Sequence, residues 1–374
     1  MSDAADVVQD GKPWRDRKRY LWPLGLVITL LPPLGGLLAE RTGLTVFWYL
    51  LPIYAYGLVP LLDAWLGEDR HNPPESQVPS LERDPFYRAV LIAYLPAQYA
   101  CFAWGVFTFV NGTLGWTESL GLILSLGLIG GGGINVAHEL GHKPSAVSGW
   151  LAKLALMQTA YGHFYVEHNR GHHVRVATRE DPASARYGET YYGFWVRTVF
   201  GGFASAWRLE QQRLGREGCG AWHWRNQVLQ GLALTLALFV VTCLWLGAAV
   251  LPLLLAQAVI GFSLLEGVNY IEHYGLLRRR DGEGRLERVQ PRHSWNSNHV
   301  MSNLMLYHLQ RHSDHHAHWS RSYQALRHQA DAPALPAGYT AMLLVALVPP
   351  LWRRIMDPRL LAHSGGDPSR LNAA

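Results

Sequence analysis

Residues 120–142 read LGLILSLGLIGGGGINVAHELGH. Up to Val136 the stretch carries no charge, and it approaches the roughly 20 helical residues that cross a hydrocarbon core of about 30 Å. It then delivers His138 and His142, four residues apart and so on one face of a helix. An apolar span with a histidine pair at its end implies a membrane bundle that carries a metal site where it meets water.

Five further apolar stretches have the same character, giving spans at about 20–38, 44–66, 86–110, 120–136, 228–246 and 248–270. The first is followed by more spans and by no small-residue cleavage site, so it reads as a membrane helix rather than a signal peptide. Loop charges set the orientation. Lys12, Arg15, Arg17, Lys18 and Arg19 precede the first span, and Arg70, Arg83 and Arg88 follow the second. The connectors on the other side hold a single basic residue, Arg41. The positive-inside rule therefore places both termini in the cytoplasm. The expected organisation is a cytoplasmic tail (1–19), spans one to four (20–137), a cytoplasmic histidine segment (138–227), spans five and six (228–270) and a cytoplasmic C-terminal segment (271–374). A last apolar run, 339–352, is short and ends in Pro349 and Pro350, so it is expected at the interface or packed on the bundle.

Composition narrows the function. Charged residues make up 16% of the 374, low for a soluble domain, and no basic run interleaved with aromatics suggests nucleic acid. Cys101, Cys219 and Cys243 lie far apart and form no CxxC pair, which excludes a cysteine zinc site, a fused rubredoxin-type iron site and a disulfide scaffold. The 18 histidines are clustered rather than spread. Four groups stand out: His138 with His142; His168 with His172 and His173; His273; and His312 with His315 and His316. At helical spacing His168 pairs with His172 and His312 with His315 or His316, while adjacent histidines point about 100° apart and serve two different ions. Nine imidazoles are too many for one ion, so two metals are expected. His71, His163, His223, His293, His299, His328 and His363 read as ordinary core or interfacial histidines. His308, four before His312, is a possible tenth ligand.

Imidazole alone does not choose among Zn, Cu, Fe and Ni. The setting favours iron with open positions, because oxidising an unactivated C–H bond of a membrane-dissolved molecule needs O2 activation. Two rivals share the first cluster. His138-Glu139-Leu140-Gly141-His142 matches the HExxH of zinc proteases, with Glu as general base, and Glu139 to His142 matches the ExxH of carboxylate-bridged di-iron bundles. Each explains one cluster and leaves the others without a role.

The boxes at 138–142, 168–173 and 312–316, with Asn269-Tyr-Ile-Glu-His273-Tyr-Gly275, resemble those of the membrane alkane hydroxylases, within the wider membrane fatty-acid desaturase and hydroxylase superfamily. Pro60–Asp63, Gly67–Asp69, Asn72–Glu75, Glu180–Arg186 and Leu309–His316 are similar too, and the likeness extends over roughly 20–330. The resemblance implies an all-α integral membrane protein of a bacterial inner membrane, with six transmembrane helices and a cytoplasmic helical cap. It implies a non-haem di-iron monooxygenase that hydroxylates a terminal methyl of an alkane with O2 and electrons from rubredoxin, a separate chain here. Aryl-methyl hydroxylation of the xylene type and desaturation are the neighbouring chemistries.

The nine histidines at 138, 142, 168, 172, 173, 273, 312, 315 and 316 are then the expected metal ligands. Glu139, Glu167, Asp181, Glu272 and Asp314 are candidate partners for their outward ring nitrogens, or simply balance charge. Trp48, Tyr49, Tyr54 and Tyr56 in the second span are bulky enough to line a substrate channel and set chain length. Arg170, Arg175, Arg179, Arg186, Arg278, Arg279, Arg280 and Arg292 lie close in sequence to the boxes and offer a docking face to an acidic electron donor.

Overall fold

The computed structural model describes residues 14–373; Met1 to Pro13, including Lys12 of the orienting charges, lie outside the described part. The described chain is helical, with isolated bridges and no named strand. Five helices are long and apolar enough to cross a membrane, and six when a bent pair is counted as one span. That pair is α1, Arg19–Val27 with Leu31–Thr42, bent by 51°. The bend falls just before Pro32 and Pro33, which lack an N–H and clash with the preceding turn, so the second piece has to restart.

The other spans are α2 (Thr45–Leu66), α3 (Pro85–Asn111) and α4 (Trp116–Gly141). Between α4 and the next span come α5 (Ala146–Met157), α6 (164–175) and α7 (Tyr191–Arg216). The last two spans are α8 (Gln227–Leu246) and α9 (Leu251–His273), joined at Gly247, whose φ of 89° suits a residue without Cβ. Starts are capped where sequence provides for it. Asp84 accepts from Phe86 N at 3.0 Å ahead of α3, and Asn226 from Val228 N at 2.9 Å ahead of α8.

α4 runs through the middle of the bundle, and its run of four glycines explains how. A Cβ on Gly130 would stand 2.7 Å from Thr159, on Gly131 2.9 Å from Leu264, on Gly132 2.2 Å from the Tyr94 hydroxyl, and on Gly133 2.5 Å from Gln98. Four neighbours thus approach the α4 backbone on four sides, the use of small residues usual between membrane helices. α7 was not foreseen. It buries Phe194, Thr198, Ala206 and Glu210 on one side and exposes Tyr192, Val196 and Phe200 on another. That pattern suits a helix lying along a membrane surface rather than across it.

The remaining helices are short: α10 (Val300–Met305), α11 (His312–Ala317), α12 (Tyr339–Ala346) and α13 (Pro349–His363). The 339–352 run breaks at Pro349 and packs on the bundle, with Leu343 seated over Gly267 of α9. The C-terminal ends of α4 and α9, together with α6 and α11, meet at one end of the bundle, and all nine histidines are there.

Candidate metal centre

The nine histidines form two groups, each with its ligand-capable atoms within 4.8 Å of one another. Five residues make one: His138, His142, His168, His173 and His315. Four make the other: His172, His273, His312 and His316. In both it is the Nε2 atoms that converge. His138 to His315 measures 2.8 Å, His142 to His168 3.1 Å, His168 to His173 3.0 Å and His173 to His315 3.1 Å. In the second group His312 to His316 measures 2.9 Å, His172 to His316 3.3 Å and His273 to His312 3.3 Å.

These spacings fit coordination. With a metal–imidazole bond of about 2.1 Å, neighbouring donors stand about 3.0 Å apart at right angles and about 3.4 Å apart at the tetrahedral angle. Burial pushes the imidazoles of His168, His173, His312, His315 and His316 well below the ordinary 6.5, and repulsion between neighbouring histidines pushes them further. Neutral rings keep a nitrogen lone pair for a cation. The residues present therefore fit two metal ions, with nitrogen donors throughout.

How the backbone sorts the histidines between the groups departs from simple helical spacing. α6 is π-helical over Glu167–His172. A π-turn repeats at five residues rather than four, so His168 joins His173 and not His172. The pairing of His168 with His172 is therefore corrected. The pairings of His138 with His142 and of His312 with His316 hold, because α4 and α11 are ordinary helices. The adjacent pairs His172/His173 and His315/His316 do divide between the groups.

The five carboxylates have different surroundings. Asp181 accepts from His172 Nδ1 at 2.9 Å, which leaves His172 Nε2 with its lone pair turned toward the second group. Burial alone raises the Asp181 carboxyl, but the hydrogen bonds it accepts from His172 and Ser184 help hold it below the usual range. Glu272 places Oε2 3.1 Å from His312 Nε2, at the edge of the four-histidine group. With His312 held neutral by burial, that contact is no ion pair. Glu167 pairs with Arg175 at 2.7 Å, and burial lifts its carboxyl to about 7 against the pull of that arginine. Glu139 turns to Lys143 at 3.1 Å and the Tyr323 backbone, away from the histidines. Asp314 binds Arg321, Gln329 and His318, again outside both groups. His308 is no tenth member: its Nδ1 donates to the Tyr323 carbonyl and its Nε2 accepts from Lys18 at 3.1 Å.

An apolar cavity of about 130 Å³ leads from the histidines into the bundle. His138, His168, His312 and Glu272 stand at its inner end, and Ile28, Leu51 and Leu128 are among its apolar walls. Tyr54 and Tyr56 of the second span line it. Trp48 and Tyr49 do not: Trp48 stacks on Trp104, and the Tyr49 hydroxyl donates to the Thr117 carbonyl at 2.7 Å. The tyrosines reach the cavity through a second π-turn, Tyr54–Leu58, between Pro52 and Pro60. Sequence reasoning missed the α4 wall, Leu128, Gly131, Gly132 and Asn135. The glycine run signalled a backbone approached closely by its neighbours, and no residue in it marked which side of α4 borders the cavity.

The arginines divide as well. Arg170 is tied to the buried Glu210, Arg175 to Glu167, and buried Arg278 to the carbonyls of Val174 and Glu287. Arg186 is half-buried, whereas Arg179, Arg279, Arg280 and Arg292 are exposed. Arg179, Arg279 and Arg280 border one surface depression with Glu180 and Asp367.

A fatty acid desaturase family model matches residues 114–346. The chain is 45% identical over 374 residues to an alkane 1-monooxygenase of Ectopseudomonas oleovorans, covering 99% of this chain and 92% of the relative. It is 47% identical to alkane 1-monooxygenase 1 of Alcanivorax borkumensis, covering 97% and 90%. The hydroxylase component of a xylene/toluene monooxygenase of Pseudomonas putida is more distant, at 29% identity over 84% of this chain and 83% of the relative. With its two histidine groups at the head of an apolar cavity and these full-length relatives, the chain belongs to the alkane 1-monooxygenase family of membrane oxidoreductases.

Proposed function

We propose that this protein hydroxylates the terminal methyl of medium- or long-chain alkanes, using O2, two irons held by the nine histidines, and electrons from rubredoxin. The overall change is R–CH3 + O2 + 2 e⁻ + 2 H⁺ giving R–CH2OH + H2O. The observation that carries the reading is the apolar cavity ending on both histidine groups. Its walls are mainly apolar, suited to an unfunctionalised chain, and the histidines stand at its end. When bound, the irons supply the O2 activation that attack on a C–H bond requires.

The residues position and exclude. Leu264, Leu265 and Val268 of α9, with Leu128 and the glycines of α4, form a sleeve that keeps water from the chain. Asp181 fixes the tautomer and tilt of His172. A lipid-dissolved alkane has already left water, so little binding free energy comes from the transfer itself, and cavity shape decides which chains fit. The zinc protease alternative is disfavoured by Glu139, which is engaged by Lys143 and is not among the residues lining the cavity. We further propose a bacterial inner-membrane setting, with the tail, the 138–227 and 271–374 segments and the metal centre cytoplasmic, and docking of rubredoxin at the exposed Arg179, Arg279, Arg280 and Arg292.

The test is the purified protein in nanodiscs with rubredoxin, its reductase and NADH, supplied with decane or dodecane. The primary alcohol, formed with NADH consumption and labelled by 18O2, is the expected product. An alkene product, or proteolysis without O2 uptake, would sink the proposal.

A further inference from the structure

The five-histidine group lies nearer the surface than the other, because its His173 is only partly buried while all four members of the second group are buried. Above it stand two exposed apolar side chains. Val174, 63% exposed, directly follows His173. Trp319 is 55% exposed, and its ring centroid lies 6.1 Å from that of His142. Among the described residues Trp319 is the one exposed aromatic ring against a histidine of either group; Phe164, which stacks on His168, is buried. Burial does not explain its position, since more than half of it faces outward.

The surroundings are basic. Lys143, next to His142 in the chain, reaches the Ser320 carbonyl and the Ser322 hydroxyl beside Trp319 and is paired with the buried Glu139 at 3.1 Å. On the Val174 side Arg278 donates to the Val174 carbonyl at 2.9 Å, and exposed Arg279, Arg280 and Arg179 follow, with Glu180 paired to Arg280. Exposed apolar groups rimmed by cations, in contact with a buried redox-capable site, suit a small acidic protein that delivers electrons one at a time. Monooxygenation takes two electrons per turnover, and the three separated cysteines of this chain supply no CxxC iron site of its own.

Resting on the reading above that an external donor reduces the centre, we propose that Trp319 is the contact on which an acidic one-electron carrier seats. Electrons then pass across the Trp319–His142 contact to the five-histidine group. The donor's Fe2+ becomes Fe3+ for each electron moved, the acceptor is the metal held by that group, and two transfers complete one turnover. The tryptophan positions the donor and shortens the path; it is not itself oxidised in the net reaction.

The experiment uses the iron-loaded full-length protein in nanodiscs and a recombinant rubredoxin as probe. Binding is measured by biolayer interferometry, and oxidation of reduced rubredoxin by stopped-flow absorbance. Trp319→Ala is expected to weaken binding and slow rubredoxin oxidation by about tenfold or more, as for loss of an aromatic anchor. Reduction by dithionite and iron content should stay at parent values, which a mere loss of fold would not allow. Trp222→Ala, removing another exposed tryptophan, should change neither readout, and Lys143→Glu should weaken binding most at low salt. Unchanged binding and oxidation rates in Trp319→Ala would overturn the assignment. If parent protein neither binds nor oxidises reduced rubredoxin, the donor reading fails, and the assignment falls with it.

Discussion

Chain length should be set by the far wall of the cavity, and α4 provides the scale. His138, Asn135, Gly132, Gly131 and Leu128 line one continuous stripe. From His138 to Leu128 is ten residues, or about 15 Å at the helical rise of about 1.5 Å per residue. An extended alkane with carbon–carbon bonds of about 1.5 Å advances about 1.3 Å per carbon, so the stripe accommodates about 12 carbons. Leu128→Trp should close off as much as one helical turn, about 5.4 Å, and move the preferred substrate shorter by up to about four carbons. Leu128→Ala should relax the end wall and move preference the other way. Leu128 is only half-buried, so Leu128→Ala should cost less than the roughly 2–5 kcal/mol of a fully buried leucine. The assay is competition: an equimolar C6 to C18 alkane mixture, with the primary alcohols resolved by gas chromatography. Parent, Trp and Ala variants showing one common profile would refute the reasoning, whatever their total rates.

Three further expectations follow from individual contacts. Asp181→Asn keeps shape but weakens the acceptor for His172 Nδ1, so metal affinity should fall by about 10–100-fold at one of two ions, read by chelator competition. His308→Ala should leave metal content at the parent level while lowering thermal stability, because His308 joins Lys18 to the Tyr323 carbonyl and belongs to neither histidine group. In metal-free protein the five histidines with depressed values, His168, His173, His312, His315 and His316, bind protons more readily unfolded than folded. Their contribution is therefore present above about pH 6.5 and lost as pH falls below it, so unfolding temperature should drop from pH 7.5 to pH 5.5. A flat profile over that range would contradict the burial of these rings.

The features readable in sequence are those that depend on local spacing. Apolar runs of near-membrane length with at most one charge each marked the spans, and eight of the nine histidines stood out by spacings of three to five residues, while His273 stood out by its place at the end of the last span and by the likeness of its box. What stayed hidden depends on how helices meet or on departures from the α-helical period. The π-turn over Glu167–His172 has no residue that demands it, so His168 was assigned the wrong partner. Trp48 has the bulk of a channel residue but faces Trp104 and the glycines Gly36 and Gly121, a matter of which side of α2 meets α3 and α4. α7 carries Arg197, Glu210 and Arg213 among its apolar residues and so escaped a search for spans; its one-sided pattern was the available clue. Carboxylate roles were the least legible. Glu139 directly follows His138 in sequence and Asp181 lies nine residues from His172, yet of the two only Asp181 reaches one of the nine, because the 177–186 loop folds back over α6.

The central proposal is that adjacent histidines in one turn of α6, which fall in two separate groups, would hold two different irons. Elemental analysis with Mössbauer spectroscopy of 57Fe-grown protein tests it directly, using His172→Ala and His173→Ala beside the parent. Two irons per chain are expected, one for each group, with His173→Ala disturbing the signal of one and His172→Ala that of the other. Zinc in place of iron, or both substitutions disturbing the same signal, would contradict the account.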